Sequence, residues 1–178
     1  MRLSRLLNLI EEPAAKSIKS LDDAQSTHIH REIIVNKKVL YNIYKQKYAN
    51  FRRFLNNCPD GKVLEIGSGS GLSKTFFPKM ICSEITFFPW VDIIFDASKI
   101  PFPDNSISCI FLDGVFHHLP DSKKFLQEAN RCLRVGGQIY LIEPQPTLLS
   151  RLVYKHIHHE PFDQDGGWEL DCKSGENR

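Results

Sequence analysis

Paired cysteines, membrane-length apolar runs and an excess of one charge are all missing from this sequence. Its five cysteines, Cys58, Cys82, Cys109, Cys132 and Cys172, are odd in number and never spaced as C-x-x-C. This favours unpaired thiols in a reducing cytoplasm over a disulfide framework. No apolar run approaches the roughly 18 residues of a membrane-spanning helix, so we expect no transmembrane segment.

Charge also limits the possible partners of the chain. The net charge is only +2, and the Lys and Arg residues are scattered in short local groups. This pattern argues against a nucleic-acid-binding protein. With 42% hydrophobic and 25% charged residues, the 178-residue chain has the composition of an ordinary globular domain.

The N-terminal third shows one clear helical pattern. Apolar residues recur at intervals of three and four from Ile33 to Leu55, which predicts a long amphipathic helix. We therefore expect residues 1–32 to form an N-terminal arm and residues 33–178 to form a single domain led by a helix over 33–56.

Strand-like and helix-like segments alternate after that helix. A helix is predicted in SKKFLQEANRCL, ended by Gly136 and Gly137, with Arg131 and Arg134 on its solvated face. The alternation predicts an α/β fold, a Rossmann-like, doubly wound and mostly parallel sheet with helices on both faces. Five segments read as strands: KVLEIG, MICSEI, VDIIFDA, SISCIFLDGVF and QIYLIEP.

Ligands in such sheets bind at the carboxyl ends of the strands, so the residues there are the candidate site. The first strand ends in EIGSGSG, where glycines at alternate positions let a ligand approach the main chain. A nicotinamide or flavin site would favour G-x-G-x-x-G, but Leu72 stands where the third glycine would be.

Acidic residues stand at the ends of four successive strands: Glu65, Glu84, Asp96 and Asp113. Such a set suits a ligand with hydroxyl groups and a positive charge, and it suits a pyrophosphate badly. S-adenosylmethionine has an amino group, a ribose, an adenine and a sulfonium, and it carries no phosphate.

Three segments in order, VLEIGSGSG, DASKIPFPDNSISCIFLDGVFHHLPD and EANRCLRVGGQIYLIEP, resemble the class I S-adenosylmethionine-dependent methyltransferases. The resemblance covers roughly residues 60–146 and is greatest to the small-molecule branch that includes quinone-biosynthesis enzymes. It implies S-adenosyl-L-methionine as cofactor and a small-molecule methyl acceptor. The cofactor-binding residues that it implies are Glu65, Gly67, Ser68, Gly69, Gly71, Glu84, Asp96, Ala97 and Asp113.

Two departures from the family pattern affect the fold. The connection from Glu84 to Asp96 is too short for the usual crossover helix, and we expect Phe87, Phe88 and Trp90 to supply apolar walls there. The family sheet normally ends with two further strands, which residues 147–178 are too few to supply. We expect that region to be a partial acceptor side, either abbreviated or cut from a longer chain.

Two histidine groups are candidates for chemistry. His117 and His118 follow the fourth strand, and either could act as a general base, although the sequence favours their being ordinary parts of the loop. His156, His158, His159 and Glu160 do not match the H-E-x-x-H zinc pattern, so we expect no metal and place them at the rim of the acceptor pocket.

The predicted function is therefore S-adenosylmethionine-dependent methyl transfer to a small molecule. Two alternatives stay open at this point. One is a catalytically idle cofactor-binding module or truncated fragment, and the other is a nicotinamide-binding oxidoreductase. The sequence predicts no oligomeric state.

Overall fold

A five-stranded parallel sheet forms the centre of the computed structural model, which describes residues 24–144. The strand order is β3-β2-β1-β4-β5, and every neighbouring pair is parallel. The chain therefore starts mid-sheet and winds outward in both directions, as predicted. The strands are β1 (Lys62–Ile66), β2 (Ile81–Glu84), β3 (Ile93–Ile94), β4 (Ile107–Asp113) and β5 (Leu133–Ile142).

The N-terminal helical region differs from the prediction. Residues 24–32, expected in the arm, belong to helix α1 (Ala24–Asn36), and the single helix expected over 33–56 is interrupted before α2 (Lys38–Leu55). Lys37 separates the two helices with an extended backbone, φ −95° and ψ 105°, which changes the direction of the chain. The amphipathic period continues through this residue, so the pattern alone could not show the break.

The later helical segments include two short ones, and α4 ends earlier than expected. Helix α3 has only the four residues Ser73–Phe76, and a 3-10 turn covers Phe116–His118. Helix α4 (Ser122–Cys132) lies where predicted, but it ends at Cys132 because Leu133 is already extended. Gly136 and Gly137 therefore lie inside β5 and do not end the helix.

Alternating side chains give the sheet two different apolar faces. Leu64, Ile66, Ile110 and Leu112 pack on one face against Phe125 and its neighbours on α4. The other face carries Cys82, Cys109 and Phe111, which pack with Tyr48 and Phe51 of α2. Both faces are covered, which is why β4 reads as a nearly continuous apolar run.

Arg131 has a structural role that its position on the helix did not suggest. Its guanidinium donates to Glu128, to Asp104 and to the carbonyl oxygens of Ile100 and Phe102 at 2.7–2.9 Å. It therefore joins the end of α4 to the loop before β4, and its assignment to a solvated helix face was wrong.

Within residues 24–144, no helix is long and apolar enough to cross a membrane. The region predicted as the partial acceptor side, including His156, His158, His159 and Glu160, lies outside the described residues.

Candidate functional site

Two adjoining cavities lie at the carboxyl ends of the strands, where the sheet order reverses between β1 and β4. The helix-side cavity has a volume of about 440 Å³ and the loop-side cavity about 590 Å³. Thr27 of α1 and Gly67 after β1 line both, so the two cavities meet above the end of β1.

Glu65 forms the base of the helix-side cavity. Its side chain is 3% exposed, and one carboxylate oxygen accepts hydrogen bonds from Ser73 Oγ at 2.5 Å and Cys82 Sγ at 3.2 Å. Burial raises the pKa of Glu65 to about 7, although the hydrogen bond from Ser73 opposes the shift. The site therefore holds a carboxyl that changes charge near neutral pH.

Ser68 supplies a polar group that the protein leaves unused. Its Oγ is buried and, among the side chains of residues 24–144, is the buried polar atom that lacks a hydrogen-bond partner. Ser68 lines the helix-side cavity. A buried hydroxyl without a partner is costly, so a ligand that hydrogen-bonds to it would remove that cost.

The three glycines of the turn after β1 differ in what they permit. A Cβ on Gly67 would lie 2.5 Å from Val115 Cγ2, and one on Gly71 would lie 2.0 Å from Trp90 Cδ1. A Cβ on Gly69 would meet nothing within 4 Å. The outer glycines are thus required by protein packing, whereas Gly69 leaves space in the cavity that it lines.

Glu84 and Trp90 hold the glycine turn in place. Gly69 N donates to Glu84 Oε1 at 2.7 Å, and Trp90 Nε1 donates to the Gly69 carbonyl oxygen at 2.9 Å. The Trp90 ring also stacks on Phe88 with centroids 5.5 Å apart. Trp90 therefore holds the turn by a hydrogen bond and by packing against Gly71, a role the sequence did not suggest.

The loop-side cavity is lined by the ends of β2 and β3. Glu84, Asp96 and Ala97 reach it together, as expected from their positions after the strands. Phe88 forms part of its apolar wall, whereas Phe87 is 67% exposed and is not among the lining residues. Asp96 accepts a hydrogen bond from the Ser98 N–H at 2.7 Å, which fixes the local turn.

Asp113, at the end of β4, is paired with a residue that sequence reasoning missed. Lys47 Nζ of α2 lies 2.8 and 3.0 Å from the two Asp113 carboxylate oxygens. Asp113 lines the helix-side cavity, and the pair ties α2 to the end of the sheet. Lys47 lies three residues after Tyr44 and therefore on the same face of α2, which was the available signal.

The two candidate bases occupy different positions. His117 Nδ1 contacts Glu143 Oε2, and Glu143 Oε1 accepts a hydrogen bond from the Phe116 N–H at 2.9 Å. His118 lines the loop-side cavity and is exposed. Glu143 follows the fifth strand, so the strand-end rule that selected the other acids could also have found it.

The helix α1 contribution to the site was not foreseen. Thr27 and His30 line the helix-side cavity, and His28 packs edge-on against Trp90 with centroids 4.8 Å apart. These residues lie in the segment predicted to be an arm. In the described part of the chain, no group of three or more metal-ligating side chains comes together.

Comparison with protein families finds a match to a methyltransferase domain over residues 76–141. That range contains Glu84, Asp96, Ala97, Asp113 and both candidate histidines, and it begins just after the glycine turn.

Two curated relatives each match about a third of the chain. A ubiquinone/menaquinone biosynthesis C-methyltransferase of Teredinibacter turnerae is 36% identical over 59 residues, 32% of this chain and 24% of its own length. A demethylmenaquinone methyltransferase of Staphylococcus haemolyticus is 39% identical over 62 residues, 34% of this chain and 26% of its own length. The chain thus spans only about a quarter of the length of these relatives.

A solved structure from Methanococcus maripaludis, provisionally described as an S-adenosyl-L-methionine-dependent methyltransferase, has the same fold. It superposes with a TM-score of 0.54 at 17% identity, covering 79% of this chain and 75% of that one. The parallel sheet with its reversal between β1 and β4 and this superposition show a Rossmann-like α/β fold, within which residues 76–141 match a methyltransferase domain.

Proposed function

We propose that the protein binds S-adenosyl-L-methionine across both cavities and transfers its methyl group to a small-molecule acceptor. The observation that carries the proposal is that the two cavities meet at Gly67 and that acidic side chains line both of them. The adenosine would occupy the loop-side cavity and the methionine portion the helix-side cavity.

The lining residues fit the chemistry of this cofactor. Glu84 can accept hydrogen bonds from ribose hydroxyls, and Ala97 with Phe88 offers an apolar edge for adenine. Asp113 and Glu65 suit an ammonium group, and the unpartnered Ser68 Oγ suits the methionine carboxylate.

The same lining argues against the nicotinamide alternative. Among the described residues that line the two cavities, there is no Lys or Arg to neutralise a pyrophosphate. The α3 helix after the glycine turn has only four residues, so it offers little helix N-terminus for a phosphate.

Bound at this place, the cofactor supplies a methyl carbon activated by the sulfonium. An acceptor lone pair would displace the sulfur at that carbon, so the residues that line the cavities would have to hold the acceptor in line with the carbon–sulfur bond. The protein has to align the acceptor and exclude water, so few catalytic residues are required.

His117 and His118 are the proposed acid–base residues for an acceptor that loses a proton. Partial burial would raise the pKa of Glu143, but the hydrogen bonds from His117 and the Phe116 N–H outweigh it and hold that pKa below its usual value. A carboxylate that accepts from His117 Nδ1–H fixes the tautomer in which Nε2 is the basic nitrogen of the neutral ring. His118, in turn, is the one of the two that lines a cavity, so both remain in the proposal.

Calorimetric titration of a matched pair of glycine variants tests the cofactor site. Gly69→Val places a side chain in the helix-side cavity, so we expect its affinity for S-adenosylhomocysteine to fall by at least about 10-fold. Gly136→Val is the control, because Gly136 also has a positive φ (+78°), has open space around it and lies away from the cavities. It should bind as the unsubstituted protein does.

Three results would contradict the proposal or part of it. Unchanged affinity in Gly69→Val would show that the cofactor site is misplaced. Binding of NADH in preference to S-adenosylhomocysteine would favour an oxidoreductase. Cofactor binding without methyl transfer to any acceptor in a broad set would favour an idle binding module.

A further inference from the structure

The helix-side cavity has a second wall that the proposed cofactor does not need. Its base is polar, but α1 and α2 present an apolar and aromatic surface opposite it. We call this surface the helix wall; it consists of Ile33, Ile34, Leu40, Tyr44 and Tyr48.

We propose that the helix wall binds the methyl acceptor, and that the acceptor is a flat, apolar molecule without negative charge. This inference rests on the proposed function, because it assigns the rest of the same cavity to the second substrate.

The aromatic part of the wall is rigid. Tyr48 is 4% exposed and stacks on Phe76 with ring centroids 4.9 Å apart. Phe111 of the sheet lies behind it at 6.2 Å. A fixed aromatic face favours a flat partner, since little conformational entropy is lost when the partner stacks on it.

The wall also stays uncharged at neutral pH. Burial, and secondarily the nearby Asp113 carboxylate, raise the pKa of the Tyr44 phenol above its ordinary value. Burial raises the pKa of Tyr48 further. Both hydroxyls therefore remain neutral, and an apolar acceptor meets no charge on this side.

Formal charges in the cavity come from acids. Asp113 and Glu65 lie in its base, and among the described lining residues His30 is the one group that could carry a positive charge. Lys47 approaches, but both Asp113 oxygens hold its ammonium, which also lies 4.8 Å from the Tyr44 ring centroid. A carboxylate or phosphate on the acceptor would therefore be desolvated beside two acids, with His30 as the one possible counter-ion among the described lining residues.

A pair of probes that share a ring system but differ in charge tests the assignment. Binding of 2-naphthol and 2-naphthoate to the full chain, saturated with S-adenosylhomocysteine at pH 7.5, would be measured by calorimetry. We expect 2-naphthol to bind at least about 10-fold more tightly. Equal or tighter binding of 2-naphthoate, or no binding of 2-naphthol, would overturn the inference.

Neighbouring substitutions on α2 locate the probe. Leu40→Gln should weaken 2-naphthol binding by at least about 5-fold and leave the affinity for S-adenosylhomocysteine within about 2-fold. Val39→Gln is the matched control, because Val39 is 73% exposed and lies outside the wall. It should change neither affinity. If Leu40→Gln unfolds more readily, Leu40→Ala serves as the milder variant in the same measurement.

Different results would contradict the proposed function and the inference about the acceptor. Failure of the unsubstituted chain to bind S-adenosylhomocysteine would contradict the proposed function at the first titration. Normal binding of S-adenosylhomocysteine without a naphthol preference would contradict only the acceptor class. Parallel loss of both ligands in Leu40→Gln and Leu40→Ala would show that the wall serves the cofactor, which also overturns the inference.

Discussion

The two sides of the helix-side cavity are built in different ways. The base is made by residues that end strands, and the sheet topology fixes where Glu65 and Asp113 lie. The helix wall depends on how α1 and α2 pack against the sheet. Backbone hydrogen bonds thus position the base, whereas side-chain packing positions the wall.

Charge divides along the same line. Residues 24–55 carry one acidic residue, Glu32, against seven basic ones, so the two helices have a net charge of about +6 in a chain whose total is +2. Residues 56–144, which form the sheet and its connections, carry ten acidic and eight basic residues and so have a net charge of about −2. The two sides therefore attract each other, and Lys47 with Asp113 is the contact where that attraction is direct. The seven basic residues are Arg31, Lys37, Lys38, Lys45, Lys47, Arg52 and Arg53.

Removing the main packing contact of the wall should have the largest effect. Phe51 of α2 is fully buried and stacks on Phe111 of β4 with centroids 4.4 Å apart. Phe51→Ala should lower the free energy of unfolding by about 4 kcal/mol, measured by urea denaturation. Ile43→Ala, at a 48% exposed position of the same helix, should change it by less than about 0.5 kcal/mol. Similar losses in both would mean that α2 is not anchored by this stack.

A pH series should show that the base of the cavity is under electrostatic strain. Burial raises the Glu65 pKa from 4.5 to about 7, so the folded state holds this proton more tightly than the unfolded chain does. The protonated Glu65 carboxyl therefore stabilises the fold fully at a pH below its pKa in the unfolded chain. This stabilisation is lost as the pH rises through its pKa in the folded protein, about 7. The side chain in Glu65→Gln stays neutral. Between pH 4.5 and 7.5, the free energy of unfolding of this variant should therefore rise by about 3 kcal/mol relative to that of the unsubstituted protein.

The control for that series is an exposed carboxylate. Glu32→Gln on α1 should follow the unsubstituted protein at every pH, because Glu32 is exposed. A Glu65→Gln curve parallel to that of the unsubstituted protein would mean that the Glu65 carboxyl keeps an ordinary pKa.

Separating the two sides at their ionic contact should have the smallest effect. Lys47→Met removes the partner of Asp113 and should cost about 1 kcal/mol in urea denaturation, because both groups are partly exposed. The cost should shrink in high salt. Lys45→Met, on an exposed position of the same helix, should show no cost. Equal effects of Lys47→Met and Lys45→Met would show that the attraction between the helices and the sheet does not depend on the contact between Lys47 and Asp113.

Much of the base of the helix-side cavity could be predicted from the sequence, because local patterns specify the residues that end strands. Apolar runs located β1, β2, β4 and β5, and the strand-end rule selected Glu65, Glu84, Asp96 and Asp113 before any contact was known. Parallel topology then brings these positions to one edge without further information.

Most of the wall could not be predicted, because its contacts join residues distant in sequence. Periodicity placed Tyr44 and Tyr48 on one face of a helix, but it could not identify Phe111 as the surface behind them. The break at Lys37 and the support of Gly69 by Trp90 are likewise tertiary effects. The glycines show the same limit, since only the packing distinguishes Gly69 from Gly67 and Gly71.

The single extended residue between α1 and α2 has a consequence for how such a protein can diversify. Helix α2 is held by the aromatic core, whereas α1 contacts Trp90 through His28 and Arg31 and contributes Ile33 and Ile34 to the helix wall. A change at Ile33 can therefore alter the wall while the core, which includes Ile34, stays intact. Lys37 thus separates α1, where Ile33 can change with the acceptor, from α2, whose aromatic residues are required for folding.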